Sequence, residues 1–533
     1  MTFIKNCLYL LLLISVLGCA NRGRPSGGEI DTDPPVILRT VPENFTTNFK
    51  SKEIKIYFDE FVKLKNLQQQ LIVSPPMDNA PEIRPLGSAN RYITIKIKDT
   101  LKENTTYAIN FGQSIVDNNE ENPYPYYRYV FSTGSTIDSL SVKGVVLDAE
   151  NREPDTFVSV VLYEVDSTYT DSIVYKEKPK YITNTLDSLT TFSIDNIKAG
   201  TYRLIALKDE NGNFTYQQKT DKIGFYDTFI TVPNDSLYTL KLFKEETPFK
   251  ALKSKQIAEK RIAFPFEGDY KDMEISLVEK QSDSFSYRIT KDTKTDTLYY
   301  WYKPKFEVDS TLFIVKNKTY VDTLNHKFRA IKPDSLTINA LQTGTINFYS
   351  DFTLEGSIPF ENIDTSKIKI IDKDSVDVPF EVKYDSLFNR YAFPIDLEED
   401  QKYSVTLLPE ALTDFYENTN DTIFYNFRTK LESDYGAVRM RLVNAKYPVI
   451  VQLIDERGEV KFERKADKDQ PFDFRQIDPK PYYLRVIFDA NGNGKWDTGN
   501  YLKGIQPERI SYFPALLDVR SGWDLVEEFI LLD

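Results

Sequence analysis

Two pairs of segments in this chain repeat each other without a gap, so whatever fold one copy adopts the other must satisfy as well. At an offset of 280 residues, Phe192, Ile197, Tyr202, Asp209, Asn211, Gly212 and Asn213 fall on Phe472, Ile477, Tyr482, Asp489, Asn491, Gly492 and Asn493. At an offset of 296, Leu101, Tyr107, Val116, Tyr129, Phe131 and Thr133 fall on Leu397, Tyr403, Leu412, Tyr425, Phe427 and Thr429. The repeated runs alternate β-branched or aromatic residues with polar ones and close on turn residues, the pattern of short strands. A two-domain unit therefore occurs twice in a length that suggests roughly three to five domains.

The rest of the chain has the same texture, as in Ile54 to Phe58, Tyr92 to Ile97 and Tyr107 to Phe111. Helical spacing is confined to two brief stretches, Leu64 to Leu71 and Ser254 to Arg261. The expectation is an all-β protein of tandem β-sandwiches forming a rod. The units are 33–135, 138–243, a strand-rich 246–332 without a repeat partner, 333–432 and 435–533.

Ahead of them, Lys5 precedes an apolar run from Cys7 to Leu17, followed by Gly18-Cys19, in the order of an export signal over residues 1–18. The run is too short to span a bilayer. Val16-Leu17-Gly18-Cys19 resembles the bacterial lipobox. The resemblance implies cleavage before Cys19, acylation of that cysteine and a lipid-bilayer anchor; the alternative is an ordinary signal peptide with an incidental cysteine. With Cys7 removed and Cys19 acylated, no thiol remains for an intramolecular disulfide. Residues 19–32 are Gly, Pro and polar, and form a tether.

Asp33-Pro-Pro-Val36, Ile54 to Asp59, Leu101 to Tyr107 and Tyr129 to Thr133 resemble the bacterial Ig-like domain of S-layer proteins. Residues 333–432 keep the LEEDQKY and FRT ends of that pattern. Val142 to Val146, Phe192 to Ile197 and Ala199 to Arg203 resemble the transthyretin-like or collagen-adhesin B-type sandwich, and 435–533 repeats it. The whole chain is similar to multidomain Ig-like lipoproteins of Bacteroidota, which implies an outer-membrane location. Arg22 and Arg24 stand where an acidic surface-export signal would follow the lipidated cysteine, so the periplasmic and cell-surface faces both stay open.

Chemistry is narrowed by a single histidine, His326, because Ser-His-Asp, Cys-His and multi-histidine zinc sites need imidazole. That residue is expected in a solvated loop or strand. A net charge of −13 with no basic block argues against nucleic acid. Asp59-Glu60 and Glu398 to Asp400 are expected in charged turns, without the raised pKa of a glycosidase acid. The aromatic runs Tyr124 to Tyr129 and Tyr299 to Tyr302 are either sugar-stacking patches or alternating core positions.

Two patterns name further residues. Asp489, Asn491, Asn493, Lys495, Asp497 and Asn500 occupy the ligand positions of a Ca²⁺ loop with glycine at its sixth place, although Asn500 replaces the usual bidentate Glu. The competing reading is a hairpin with Asn-Gly turns and no cofactor at all. The tripeptide Asp-(Ser/Thr)-(aliphatic/Thr) places hydroxyls at Thr100, Ser139, Ser167, Ser172, Ser188, Ser236, Thr297, Ser310, Thr323, Ser335, Ser375, Ser386 and Thr422. Residue frequencies alone give about two such tripeptides. It is similar to the O-glycosylation acceptor motif of Bacteroidota; Asx-turns before strands are the alternative. The functional expectation is a non-enzymatic outer-membrane lipoprotein, a multi-domain scaffold that binds other envelope proteins. The alternatives are an accessory subunit of an outer-membrane assembly or secretion machine, and a glycan-binding or adhesion protein.

Overall fold

The computed structural model describes residues 31–186, 190–279 and 283–532, so Cys19, most of the tether and Ser188 lie outside the described residues. The regular structure is nearly all strand, and its sheets pack in pairs as β-sandwiches in tandem. In the first, the sheet of Ile37–Val41, Glu53–Leu64, Asn90–Lys96 and Glu82–Arg84 covers a sheet of Ile72–Ser74, Thr106–Asn110 and Arg128–Ser132. Ile54, Ile56, Phe58 and Val62 alternate inward along the long strand, which is why it buries one face only.

The repeat is visible atom by atom. The Tyr107 hydroxyl accepts the Lys102 N–H at 2.9 Å and the Tyr403 hydroxyl accepts the Glu398 N–H at 2.8 Å. Thr133 and Thr429 donate to the carbonyls of the same two residues, Lys102 and Glu398. In the second and fifth sandwiches, Tyr202 and Tyr482 each donate to the carbonyl four residues upstream, Lys198 and Asp478. Both of these sandwiches also pair their last strand parallel with their first: Leu237–Leu242 with Leu140–Asp148, and Asp524–Ile530 with Gly436–Val443. The strands between Lys250 and Lys327 form a third sandwich whose pairings are antiparallel.

Leu67–Gln70 is helical as expected, but Ser254 to Arg261 is not. Lys255–Ala258 and Arg261–Glu267 pair antiparallel, and the Gln256 amide donates to the carbonyls of Ala258 and Glu259, binding the turn from its own side chain.

Side chains fasten the sandwiches to one another. The second holds the first through Ile182 N–H on the Ser74 hydroxyl and Lys178 on the Met77 carbonyl. Arg261 of the third pairs with Asp334 at 2.6 Å, with its guanidinium 4.7 Å from the centre of the Trp301 ring, while Tyr416 of the fourth donates to Lys260 O. Tyr349 of the fourth packs on Phe462 of the fifth. The fifth then folds back on the second, a contact that a string of independent sandwiches lacks. Among the described residues no helix is long and apolar enough to cross a membrane, which leaves membrane-crossing strands untouched.

Candidate functional site

The loop from Asp489 to Asn500 does not stand free. Asp489 is buried and accepts the N–H groups of Asn493 and Gly494 at 3.0 and 2.8 Å, which bends the chain sharply. Gly494 takes a φ of +76°, and its counterpart Phe214 adopts +61° despite its side chain, with Asp209 accepting the Phe214 N–H. The amides of Asn491 and Asn493 converge on one oxygen of Asp497, and Lys495 lies 3.1 Å from the other. Desolvation would raise the Asp497 pKa, but these donors outweigh it and the carboxyl is held below its usual range. Asn500 accepts the Lys503 N–H through its side chain. The donor set suits a weakly held hard cation only if both amides turn their oxygens inward, a rearrangement that flips them end for end.

Immediately after it, Trp496 to Gln506 forms a strap across the second sandwich. Thr498 donates to Lys244 O at 2.6 Å, the Tyr501 N–H to Glu245 at 2.6 Å, and the Gln506 amide to Phe225 O and the Asp227 carboxylate. Trp496 and Tyr501 join a cluster with Tyr163, Tyr216, Phe225 and Phe243. Gly499 is required here, since a Cβ would lie 2.6 Å from the Phe243 ring and 2.7 Å from Ile505 O. In return, Arg485 and Tyr512 of the fifth sandwich both reach the carbonyl of Glu150. The composition of the strap, aromatic and glycine-rich, was the one sequence signal of this contact.

His326 is buried, contrary to expectation, because the strand Tyr320–Lys327 turns it inward. Its Nδ1 meets the Ser254 hydroxyl at 2.9 Å and its Nε2 the side-chain Oε1 of Gln256 at 3.1 Å, with Phe313 and Phe328 edge-on. Burial pushes its pKa down to about 4. Glu60 is also a correction: it lies within a strand, and partial burial, then Asp117, Asp59, Asp31 and Glu120, push its pKa up.

Tyr127, Tyr129, Tyr300, Trp301 and Tyr302 are core residues, Tyr124 and Tyr299 are half-buried, and Tyr126 is the exposed ring of the two runs. Of the twelve described tripeptide hydroxyls, Thr100, Ser139, Ser167, Ser236, Ser310, Thr323, Ser335, Ser375, Ser386 and Thr422 are exposed, Ser172 is half-buried and Thr297 is buried. Among the described residues Asp166 and Asp385 close Asx-turns to the residue two ahead, so turn chemistry accounts for few of these sites. Sequence reading passed over Asp117 and Asp414. Both are buried; the first accepts four backbone N–H groups, from Asn119 to Asn122, and the second those of Tyr416 and Asn418.

Sheet pairing and packing define a multidomain protein of tandem Ig-like β-sandwiches. Residues 31–133 match the bacterial Ig-like domain family, and no curated protein matches the chain. Among solved structures, the S-layer protein rSbsC is similar at 11% identity over 91% of this chain and 67% of that one, with a TM-score of 0.17. The Bacillus anthracis TIE protein is similar at 9% identity over 95% and 75%, with a TM-score of 0.15. The immunoglobulin domains of Sidekick-1 are similar at 8% over 74% and 98%, at 0.18. At such scores these likenesses carry no argument about shape, partner or activity.

Proposed function

We propose that the chain is a non-enzymatic scaffold of the bacterial envelope, held at the outer membrane by an acylated Cys19 and binding other envelope proteins through its sheet faces and edges. What supports this reading most is the side-chain fastening at successive junctions, which holds several binding-type surfaces in one frame. The chain's one imidazole is buried between Ser254 and Gln256.

A dedicated place in an assembly or secretion machine, with one stoichiometric partner, is the second reading. The last strand, Asp524–Ile530, favours it: it forms one edge of a three-stranded sheet, and Val526 and Ile530 within it and Trp523 and Leu532 flanking it are more than half exposed. Native detergent extraction and affinity purification with mass spectrometry separate the two. A varying set of envelope proteins is expected for the scaffold and one partner at fixed ratio for the subunit. A monodisperse protein that captures neither and binds glycan overturns both.

A further inference from the structure

The contact between the second and fifth sandwiches buries two opposite charges without pairing them. Arg203 is 6% exposed; among the described residues no carboxylate pairs with it, and its Nε is buried without a hydrogen-bond partner. Its Nη1 donates to the carbonyls of Tyr226 and Asp227, and its guanidinium faces the rings of Phe225, Phe229 and Tyr501 at 5.1, 5.8 and 5.5 Å. Glu245, 3% exposed, accepts the Tyr216 hydroxyl and the Tyr501 N–H. Tyr501 thus stands between the two ions, its N–H on the carboxylate and its ring against the guanidinium.

Stripping water from a lone ion is strongly unfavourable, and ring faces and carbonyls return part of that loss only. The junction between the third and fourth sandwiches makes the contrast. There too an arginine lies on aromatic rings with its Nε unpartnered, but Arg261 is only partly buried and has Asp334 as its counter-ion at 2.6 Å. At the strap, apolar burial of Trp496 and Tyr501 favours closure while the two unpaired ions favour opening. Trp496 to Gln506 contains no strand, so lifting it breaks no sheet pairing, and the return contacts run through the Glu150 carbonyl and through Arg152, whose guanidinium lies 4.6 Å from the centre of the Tyr483 ring.

We propose that this strap is a reversible latch: it lifts from the second sandwich while both sandwiches stay folded, and Arg203 and Glu245 set how readily it does so. Opening rehydrates both ions and uncovers the ring surface of Phe225 and Phe243.

Residues 31–533 contain no cysteine, so cysteines placed at exposed Lys503 on the strap and exposed Thr231 on the second sandwich accept a spin-label pair in that chain. Pulsed electron resonance is expected to show a short and a long distance in the otherwise unaltered chain. Arg203→Met should deplete the long one at least about five-fold, since an apolar side chain needs no water. Glu245→Gln should deplete it as well, keeping the result readable if the arginine variant misfolds, and Tyr501→Ala should make the long distance dominant. The short distance alone in the unaltered chain overturns the latch, as does a more open chain in Arg203→Met or Glu245→Gln.

Discussion

His326 sits in the core of the third sandwich, where burial disfavours the charged ring although the Ser254 hydroxyl and the Gln256 amide oxygen face its two nitrogens. Its folded pKa of about 4 lies below the 6.5 of an unperturbed imidazole, so the neutral ring contributes its stability in full above pH 6.5, and the contribution is lost as the pH falls from 6.5 through 4. The difference corresponds to about 3 kcal/mol. The third sandwich is expected to lose melting temperature across that window, above the range where most carboxylates titrate, and His326→Gln should flatten the slope; equal slopes in both proteins would contradict the assignment. The paired tyrosines make a second claim at this scale. Tyr107→Phe and Tyr403→Phe each leave one backbone N–H, Lys102 or Glu398, without its acceptor. Each should cost its own sandwich about 1 to 2 kcal/mol, read as faster hydrogen exchange at that amide. A loss in one copy and none in the other would break the equivalence of the repeats.

If Asp489 to Asn500 takes Ca²⁺ rather than serving as a hairpin turn, two carboxylates and no bidentate twelfth ligand make the affinity weak, on the order of 10⁻⁴ to 10⁻³ M. Ten times that concentration would add roughly 1.4 kcal/mol to the native state. Scanning calorimetry of the 31–533 chain should show one transition rising by a few degrees with calcium, and Asp497→Asn should abolish the rise. No shift at millimolar calcium leaves Lys495 as the loop's own cation. The tripeptide hydroxyls divide by position in their elements: ten stand exposed, whereas Thr297 opens the strand Thr297–Lys303 and is buried. If sugar is added to the folded protein, glycopeptide mapping after native expression should find it among the exposed set and never on Thr297. Modification at Thr297, or equal masses with and without the glycosylation pathway, would remove the idea.

For the whole molecule, the anchor and the fold-back act at opposite ends. Acylation would fix residue 19, and the first sandwich begins within a short tether of it. The last sandwich returns to the second, which also holds the first, so the N-terminal and C-terminal sandwiches belong to one packed body. A Cys19→Ser protein is expected to remain uncut or turn up in the soluble fraction. Outer-membrane recovery at the level of the unaltered protein would show that something other than lipid holds it.

The sequence by itself determined what depends on near neighbours. Period-two alternation set the strands, as in Ile54, Ile56 and Phe58, and the repeated Tyr107 and Tyr403, Tyr202 and Tyr482 marked turns whose hydrogen bonds close within five residues. Such contacts need only local geometry, so their pattern survives in one dimension. Tertiary structure alone decided the inward phase of His326, the acids gathered around Glu60 and the docking of the strap. Each of these sets a residue's dielectric and partners by bringing together distant parts of the chain, as Tyr501 meets Glu245 across 256 positions. No spacing in the sequence encodes that meeting, because it is fixed by how five packed bodies fill space around one another.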